Sequence, residues 1–167
     1  RQIKDIENLV NEFSSFARMP SPIFKKMNLI DLIARSINFY KLSSENEINL
    51  KSLKKYIPFN HDGDQLYRVF INLIKNSEDS IRERKEKSSK LKGKINIEIK
   101  SNNSYIEINI VDNGIGIKDT SKIMTPYFTT KKDGTGLGLP IVNKIINEHK
   151  GEMTITSKNL GAKVQIL

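Results

Sequence analysis

The chain has 167 residues, with 28 Lys+Arg against 19 Asp+Glu and a formal net charge of +9, a length that suits one compact domain with a short appendage. It contains no Cys, which excludes disulfide scaffolds, thiolate zinc sites and cysteine nucleophiles, and its two His leave a zinc site short of ligands. No apolar run approaches the roughly 20 residues of a membrane span, and no signal-peptide pattern follows Arg1, so the expectation is a piece of a longer protein.

Residues 1–18 carry Ile3, Ile6, Leu9, Val10, Phe13, Phe16 and Ala17 at spacings of three and four, which predicts an amphipathic helix. Met19-Pro20-Ser21-Pro22 ends it, because each proline removes a donor and pushes its predecessor out of the helical region. A boundary is expected there, with residues 1–20 as helix and linker and 21–167 as the globular unit. Asn28 is placed to cap a helix carrying Leu29, Leu32, Ile33, Ile37 and Tyr40, and residues 48–57 alternate loosely as a strand. Asp62 or Asp64 caps a long helix reaching about Lys85. Arg82 to Lys94 holds seven bases and two acids, so +5 of the +9 sits in thirteen residues. Such a run reads as a solvated helix end and loop, and it lacks the interleaved aromatics that single-strand binding uses, so no nucleic-acid partner is expected.

Ile95, Ile97 and Ile99, then Ile106, Ile108 and Ile110, keep period two on either side of Ser101-Asn102-Asn103-Ser104, a β-hairpin with one buried face. A glycine-rich stretch runs from Asp112 to Gly138. Leu139 to His149 is helical and closes on Lys150-Gly151, and two strands near 152–157 and 162–167 turn through Asn159-Leu160-Gly161. The order α, β, α, β, β, α, β, β predicts an α+β fold, with helices over one face of a mixed sheet.

Three elements carry chemistry. On the long helix, Gln65, Arg68, Asn72, Asn76 and Asp79 share a narrow polar stripe beside a broad apolar arc. Asn is a weak helix former, and an amide oxygen can ligate Mg²⁺ while its NH₂ donates to phosphate. Asp112-Asn113-Gly114-Ile115-Gly116 follows a strand end, where a carboxylate can accept from an exocyclic amine and glycines admit a ligand to the backbone. Gly134-Thr135-Gly136-Leu137-Gly138-Leu139 opens a helix, a ready anion site. It is neither a Walker A loop nor a dinucleotide fingerprint. Between the last two lies Pro126-Tyr127-Phe128-Thr129-Thr130-Lys131-Lys132, a loop able to close over a nucleotide with its lysines toward phosphate.

Singly these elements are ordinary, but their order and spacing resemble the ATP-binding catalytic domain of sensor histidine kinases, within the wider gyrase, Hsp90, histidine kinase and MutL ATPase group. The N box (Asn72 to Asn76), G1 box (Asp112 to Gly116), F box (Pro126 to Lys131) and G2 box (Gly134 to Leu139) stand in family order, and the resemblance covers residues 22–167. Residues 8–20 look like the end of the second dimerisation helix, and in detail are similar to nitrogen-regulation kinases of the NtrY/NtrB kind. The resemblance implies the two-layer Bergerat fold, with a mainly antiparallel sheet covered on one face. It implies ATP and Mg²⁺ as cofactors, with Asn76 on the metal, Asn72 supporting it or a phosphate, Asp112 reading the adenine amine, and Gly114 and Gly116 admitting the purine. Lys131, Gly136 and Gly138 would hold phosphates, Gly134, Thr135 and Leu137 would be further nucleotide-binding residues, and Tyr127 and Phe128 would anchor the lid. It further implies a cytoplasmic domain of a protein anchored in the bacterial inner membrane, a homodimer that phosphorylates a His of its own dimerisation domain and then a response-regulator receiver domain.

Two departures stand out. Asp79 occupies a position where the family often has a basic residue, so no phosphate contact is assigned there. The His-Glu/Asp-x-x-x-Pro phosphoacceptor box is nowhere in the chain, and His61 and His149 read as structural or solvent-facing, so no self-phosphorylation is expected. The alternatives are a hydrolytic ATPase or protein-serine kinase of the same group, and a basic binding module acting through Arg82 to Lys94. Hydrolytic members place a Glu where Asn72 stands, which argues against the first.

Overall fold

The computed structural model describes residues 18–88, 90–131, 134–157 and 160–167, together with Val10 and Ser14. The helix expected over residues 1–18 falls mostly outside the described residues, as do Lys132 and Asn159. Strand β1 (Lys25–Asn28) leads into α1 (Leu29–Lys41), β2 (Glu47–Ser52), β3 (Pro58–His61) and α2 (Gly63–Lys87). Strands β4 (Lys94–Ser101) and β5 (Ile106–Asp112) follow, then α3 (Gly138–Glu148), β6 (Met153–Ser157) and β7 (Ala162–Ile166).

The main sheet has the order β2-β4-β5-β7-β6 and the α+β architecture that the element order predicts. Only β2 against β4 is parallel; the other three pairings are antiparallel. The period-two isoleucines explain its sidedness. Ile95, Ile97, Ile99, Ile108 and Ile110 are all buried beneath the helices, while Lys51, Glu98 and Lys100 form ion pairs on the other face. In the hairpin turn, Asn102 Oδ1 accepts from the N–H groups of Ser104 and Tyr105 at 2.8 and 2.9 Å. Helix α2 lies at the centre of the helical layer, packed on α1, α3 and the sheet, and buries Leu66, Val69, Phe70, Leu73, Ile74 and Ile81. That apolar arc orients the polar stripe carrying Asn72 and Asn76 toward the α3 side.

Both predicted caps form. Asn28 Oδ1 accepts from Ile30 N at 3.2 Å, and Asp62 Oδ1 accepts from Asp64 N and Gln65 N, each at 3.0 Å. The strand expected over 48–57 is corrected: it ends at Ser52, whose Oγ accepts from Lys54 N at 3.2 Å. The chain then leaves the sheet, and Ile57 N donates to Asn28 Oδ1 at 3.0 Å. This brings Pro58–His61 antiparallel to Lys25–Asn28, a two-stranded sheet with no sequence signature of its own.

The segment before β1 is fastened to this corner. Gln65 Nε2 donates to Pro20 O at 2.9 Å, and Ile23 N donates to Asp62 Oδ2 at 2.8 Å. His149 Nε2 accepts from Asp62 N at 3.0 Å, and the His149 ring meets Phe24 edge-on at 5.1 Å. At the end of α3 the residue with positive φ is Lys150 (62°), while Gly151 N donates to Ile146 O and Lys150 N to Asn147 O, each at 2.9 Å. This is a Schellman closure. Glycine is needed at 151 for contact instead, since a Cβ there would stand 2.8 Å from Leu167 O.

Candidate nucleotide site

Four segments meet around the middle of α2, from Asn72 to Ser80, and the end of β5. Asp112 ends β5, and its Oδ1 accepts from Gly114 N at 2.8 Å while Ser77 Oγ lies 3.4 Å from Oδ2. Partial burial raises the Asp112 carboxyl above its ordinary value, and hydrogen bonds from Gly114 N, Ala162 N and Ser77 oppose that shift without cancelling it. In its charged form a group so placed is partly desolvated, and a further N–H donor would stabilise it. It is primed to accept a hydrogen bond from a ligand.

The loop after Asp112 is pressed onto α2. Ile115 N donates to Ser80 O at 3.2 Å, and Gly116 takes φ 78°. Gly161 N donates to Gly114 O at 2.9 Å, and a Cβ on Gly161 would stand 2.1 Å from Asp112 O. Gly161 therefore closes the floor beside the carboxylate.

On the α2 stripe, Asn72 Nδ2 donates to Arg68 O at 2.9 Å, which leaves Oδ1 turned toward α3, 3.3 Å from where a Gly138 Cβ would lie. Asn76 Oδ1 accepts from Lys131 Nζ at 3.0 Å, and the same ammonium lies 2.8 Å from Asp79 Oδ2. Helix α3 begins at Gly138, and its N-cap residue Leu137 makes no side-chain cap bond. Gly136 takes φ 68°, and a Cβ there would meet the Tyr127 carbonyl carbon at 2.4 Å. Tyr127 itself has φ 67° and donates its N–H to Gly136 O at 3.1 Å. Thr135 Oγ1 accepts from Leu137 N at 3.4 Å, and Lys131 O accepts from Gly134 N at 3.3 Å.

Thus Asn72, Asn76, Asp112, Gly114, Lys131, Gly136 and Gly138 converge, while other predicted residues take different positions. The Leu137 side chain is buried in the core, so it offers the site only backbone. The Tyr127 side chain is half exposed, and the backbone of Tyr127 bonds to Gly136; Phe128 N donates to Thr125 O at 3.1 Å. A concavity of about 540 Å³ on the outer flank of α3, lined by Met124, Pro126, Pro140 and Asn143, includes none of the asparagines or glycines above.

Sequence reading missed Ser77, Ser80 and the pairing of Asp79 with Lys131. The available signal was Ser77, a small hydroxyl on an apolar arc between Ile74 and Ile81, 5% exposed in the fold. Both histidines are structural. His61 is fully buried with Nδ1 on Phe59 O at 2.8 Å, and His149 uses both ring nitrogens, on Ile145 O and Asp62 N.

A central helix with an asparagine stripe, a strand-end aspartate set among glycines, and a glycine-bearing loop opening a helix define an ATPase-type α+β domain. The chain belongs to the family of histidine kinase-, DNA gyrase B- and HSP90-like ATPases, whose model matches residues 61–167. It is 35% identical over 161 residues to an NtrY-like sensor histidine kinase of Rickettsia felis, which covers 95% of this chain and 26% of that protein. The chain thus spans about a quarter of the length of that relative. Among solved structures, the nucleotide-free catalytic domain of histidine kinase ThkA is similar at 26% identity and a TM-score of 0.73, covering 86% of this chain and 93% of that one. ThkA in complex with the response regulator protein TrrA shares the fold at 21% identity and a TM-score of 0.79, covering 99% of this chain and 47% of that one.

Proposed function

We propose that residues 21–167 bind Mg-ATP as the catalytic part of a two-component sensor histidine kinase, with residues 1–20 as the end of its dimerisation helix and the linker. The observation that carries this reading is the joining of Asp112 to the metal-type asparagine stripe: Ser77, the neighbour of Asn76, touches the Asp112 carboxylate. The residues fit the group. The Asp112 carboxylate is partly desolvated by burial, a Cβ on Gly138 would crowd Asn72 Oδ1, and the N-cap residue of α3, Leu137, makes no side-chain cap bond.

Asp112 accepts from the adenine amine, Asn76 offers its amide oxygen to Mg²⁺, and Asn72 supports the phosphate side. The α3 N-terminus, Gly134, Thr135, Gly136 and Lys131 hold anionic oxygens. Mg-ATP supplies the transferable phosphoryl group. Asn72 cannot take a proton from water as a carboxylate would, which disfavours hydrolysis. The acceptor histidine lies on a dimerisation helix of the homodimeric, membrane-anchored parent, and a response-regulator receiver domain takes the phosphoryl group from it. His61 and His149 are occupied structurally, so this chain does not label itself.

Calorimetry with Mg-ADP and Mg-AMPPNP tests the reading. Binding by wild type, lost in Asp112→Ala, is expected, and incubation with ATP and a dimerisation-helix fragment carrying the acceptor gives phosphohistidine. Absence of nucleotide binding by the folded wild type refutes it.

A further inference from the structure

Lys131 is set in a tight turn: its N–H donates to Thr129 Oγ1 at 3.1 Å, and its carbonyl accepts from Gly134 N. Its side chain crosses to α2, where Nζ donates to Asn76 Oδ1 at 3.0 Å and to Asp79 Oδ2 at 2.8 Å. Asp79 Oδ1 takes Arg82 Nη2 at 2.7 Å. The Asp79 side chain is only 14% exposed, against 38% for Lys131. The pair is therefore screened less than an open surface ion pair.

The chemistry of this contact is specific. Asn76 Oδ1 is a neutral oxygen suited to a hard cation, and an ammonium already sits on it. Asn76 alone would hold that ammonium weakly, so the Asp79 charge is what retains it. An ammonium shared between these two oxygens is not directed at phosphate. Arg82 gives Asp79 a second cation, so departure of Lys131 does not strand an unpaired carboxylate.

We propose that Asp79 is a positioning residue that parks Lys131 on Asn76, so that the lysine holds the cation position and must leave before Mg-nucleotide enters. The proposal rests on the nucleotide reading of the site given above. Parking lowers apparent nucleotide affinity in proportion to the parked fraction. It also gives Asp79 a role at the position where a phosphate-binding base was absent.

The test uses Asp79→Asn, Lys131→Gln and the double variant in the 167-residue chain, with circular dichroism confirming the fold of each. Mg-AMPPNP affinity is measured by calorimetry. Limited trypsin cleavage after Lys131, followed by mass spectrometry in ligand-free protein, reads the parked state directly. Asp79→Asn is expected to bind Mg-AMPPNP about three- to tenfold tighter and to be cleaved after Lys131 faster by a similar factor, on the scale of one partly sheltered ion pair. In the Lys131→Gln background the Asp79 substitution is expected to change affinity by less than about twofold. Unchanged cleavage overturns the parked pair. Unchanged or weaker affinity, in a wild type that binds, overturns its competition with nucleotide. A wild type that binds no nucleotide while Asp79→Asn is cleaved faster refutes the functional reading and leaves the parked pair standing.

Discussion

Gly114 lies directly against the backbone of Ser80: a Cβ on Gly114 would stand 2.6 Å from the Ser80 carbonyl carbon and 2.1 Å from its Oγ. This contact fixes the loop after β5 onto α2, and with it the distance between Asp112 and the asparagine stripe. Neither side can yield, because Ser80 is within a helix and the neighbouring Ile115 N–H is bonded to Ser80 O at 3.2 Å.

Gly114→Ala is accordingly expected to destabilise the fold by about 2 kcal/mol, the scale of overpacking against backbone. Urea unfolding followed by circular dichroism measures it. A loss below about 0.5 kcal/mol would show that the loop can move off α2.

Asp112 gives a second expectation. Its carboxyl is raised above 3.8 in the folded chain, chiefly by burial. The protonated form is favoured on folding, so its stabilising contribution is complete below 3.8 and is lost as pH rises through the raised value. Asp112→Asn removes that loss, and the difference between variant and wild type in unfolding free energy grows with pH across this window. The same substitution weakens Mg-ADP binding by at least about tenfold, because a ligand amine then faces a poorer acceptor. Stability and binding respond in opposite directions, which calorimetry of both quantities distinguishes.

His61 acts in the other direction. It is fully buried, stacked on Phe59 at 5.6 Å, and burial lowers its proton affinity below the ordinary value of 6.5. Above 6.5 both folded and unfolded chains hold it neutral. As pH falls below 6.5 the unfolded chain takes up the proton first, and stability falls by up to about 1.4 kcal/mol per pH unit until the lowered folded value is reached. His61→Phe is expected to remove this component of the slope below pH 6.5. Parallel pH profiles for the two proteins would contradict it.

Lys150 adopts φ 62° at the Schellman position of α3, a conformation that strains a residue with a Cβ. Lys150→Gly is expected to stabilise the protein by about 0.5–1 kcal/mol, read as a rise in thermal midpoint. Gly151→Ala is expected to destabilise it, since its Cβ would press on Leu167 O at 2.8 Å.

Much of this molecule was legible locally. Alternating isoleucines specify the hairpin and its buried face, because period two decides which side of a sheet is apolar. Asn28 and Asp62 specify helix starts through bonds to N–H groups two or three residues on, and the glycine-bearing boxes stand in order along the chain. Contacts between distant residues were not legible. Strands β1 and β3 exist only because each satisfies the other's backbone, and β2 stops at Ser52 because Asn28 captures Ile57. Asp79 could be satisfied by Arg82, three residues away; that it also holds Lys131, 52 residues along the chain, follows from how α2 meets the loop before α3. The sequence by itself determined the elements and the chemical inventory of the site, since those depend on spacing and side-chain type. Tertiary structure alone decided which oxygen faces which cation, because that choice is made by packing between segments that have no local claim on one another.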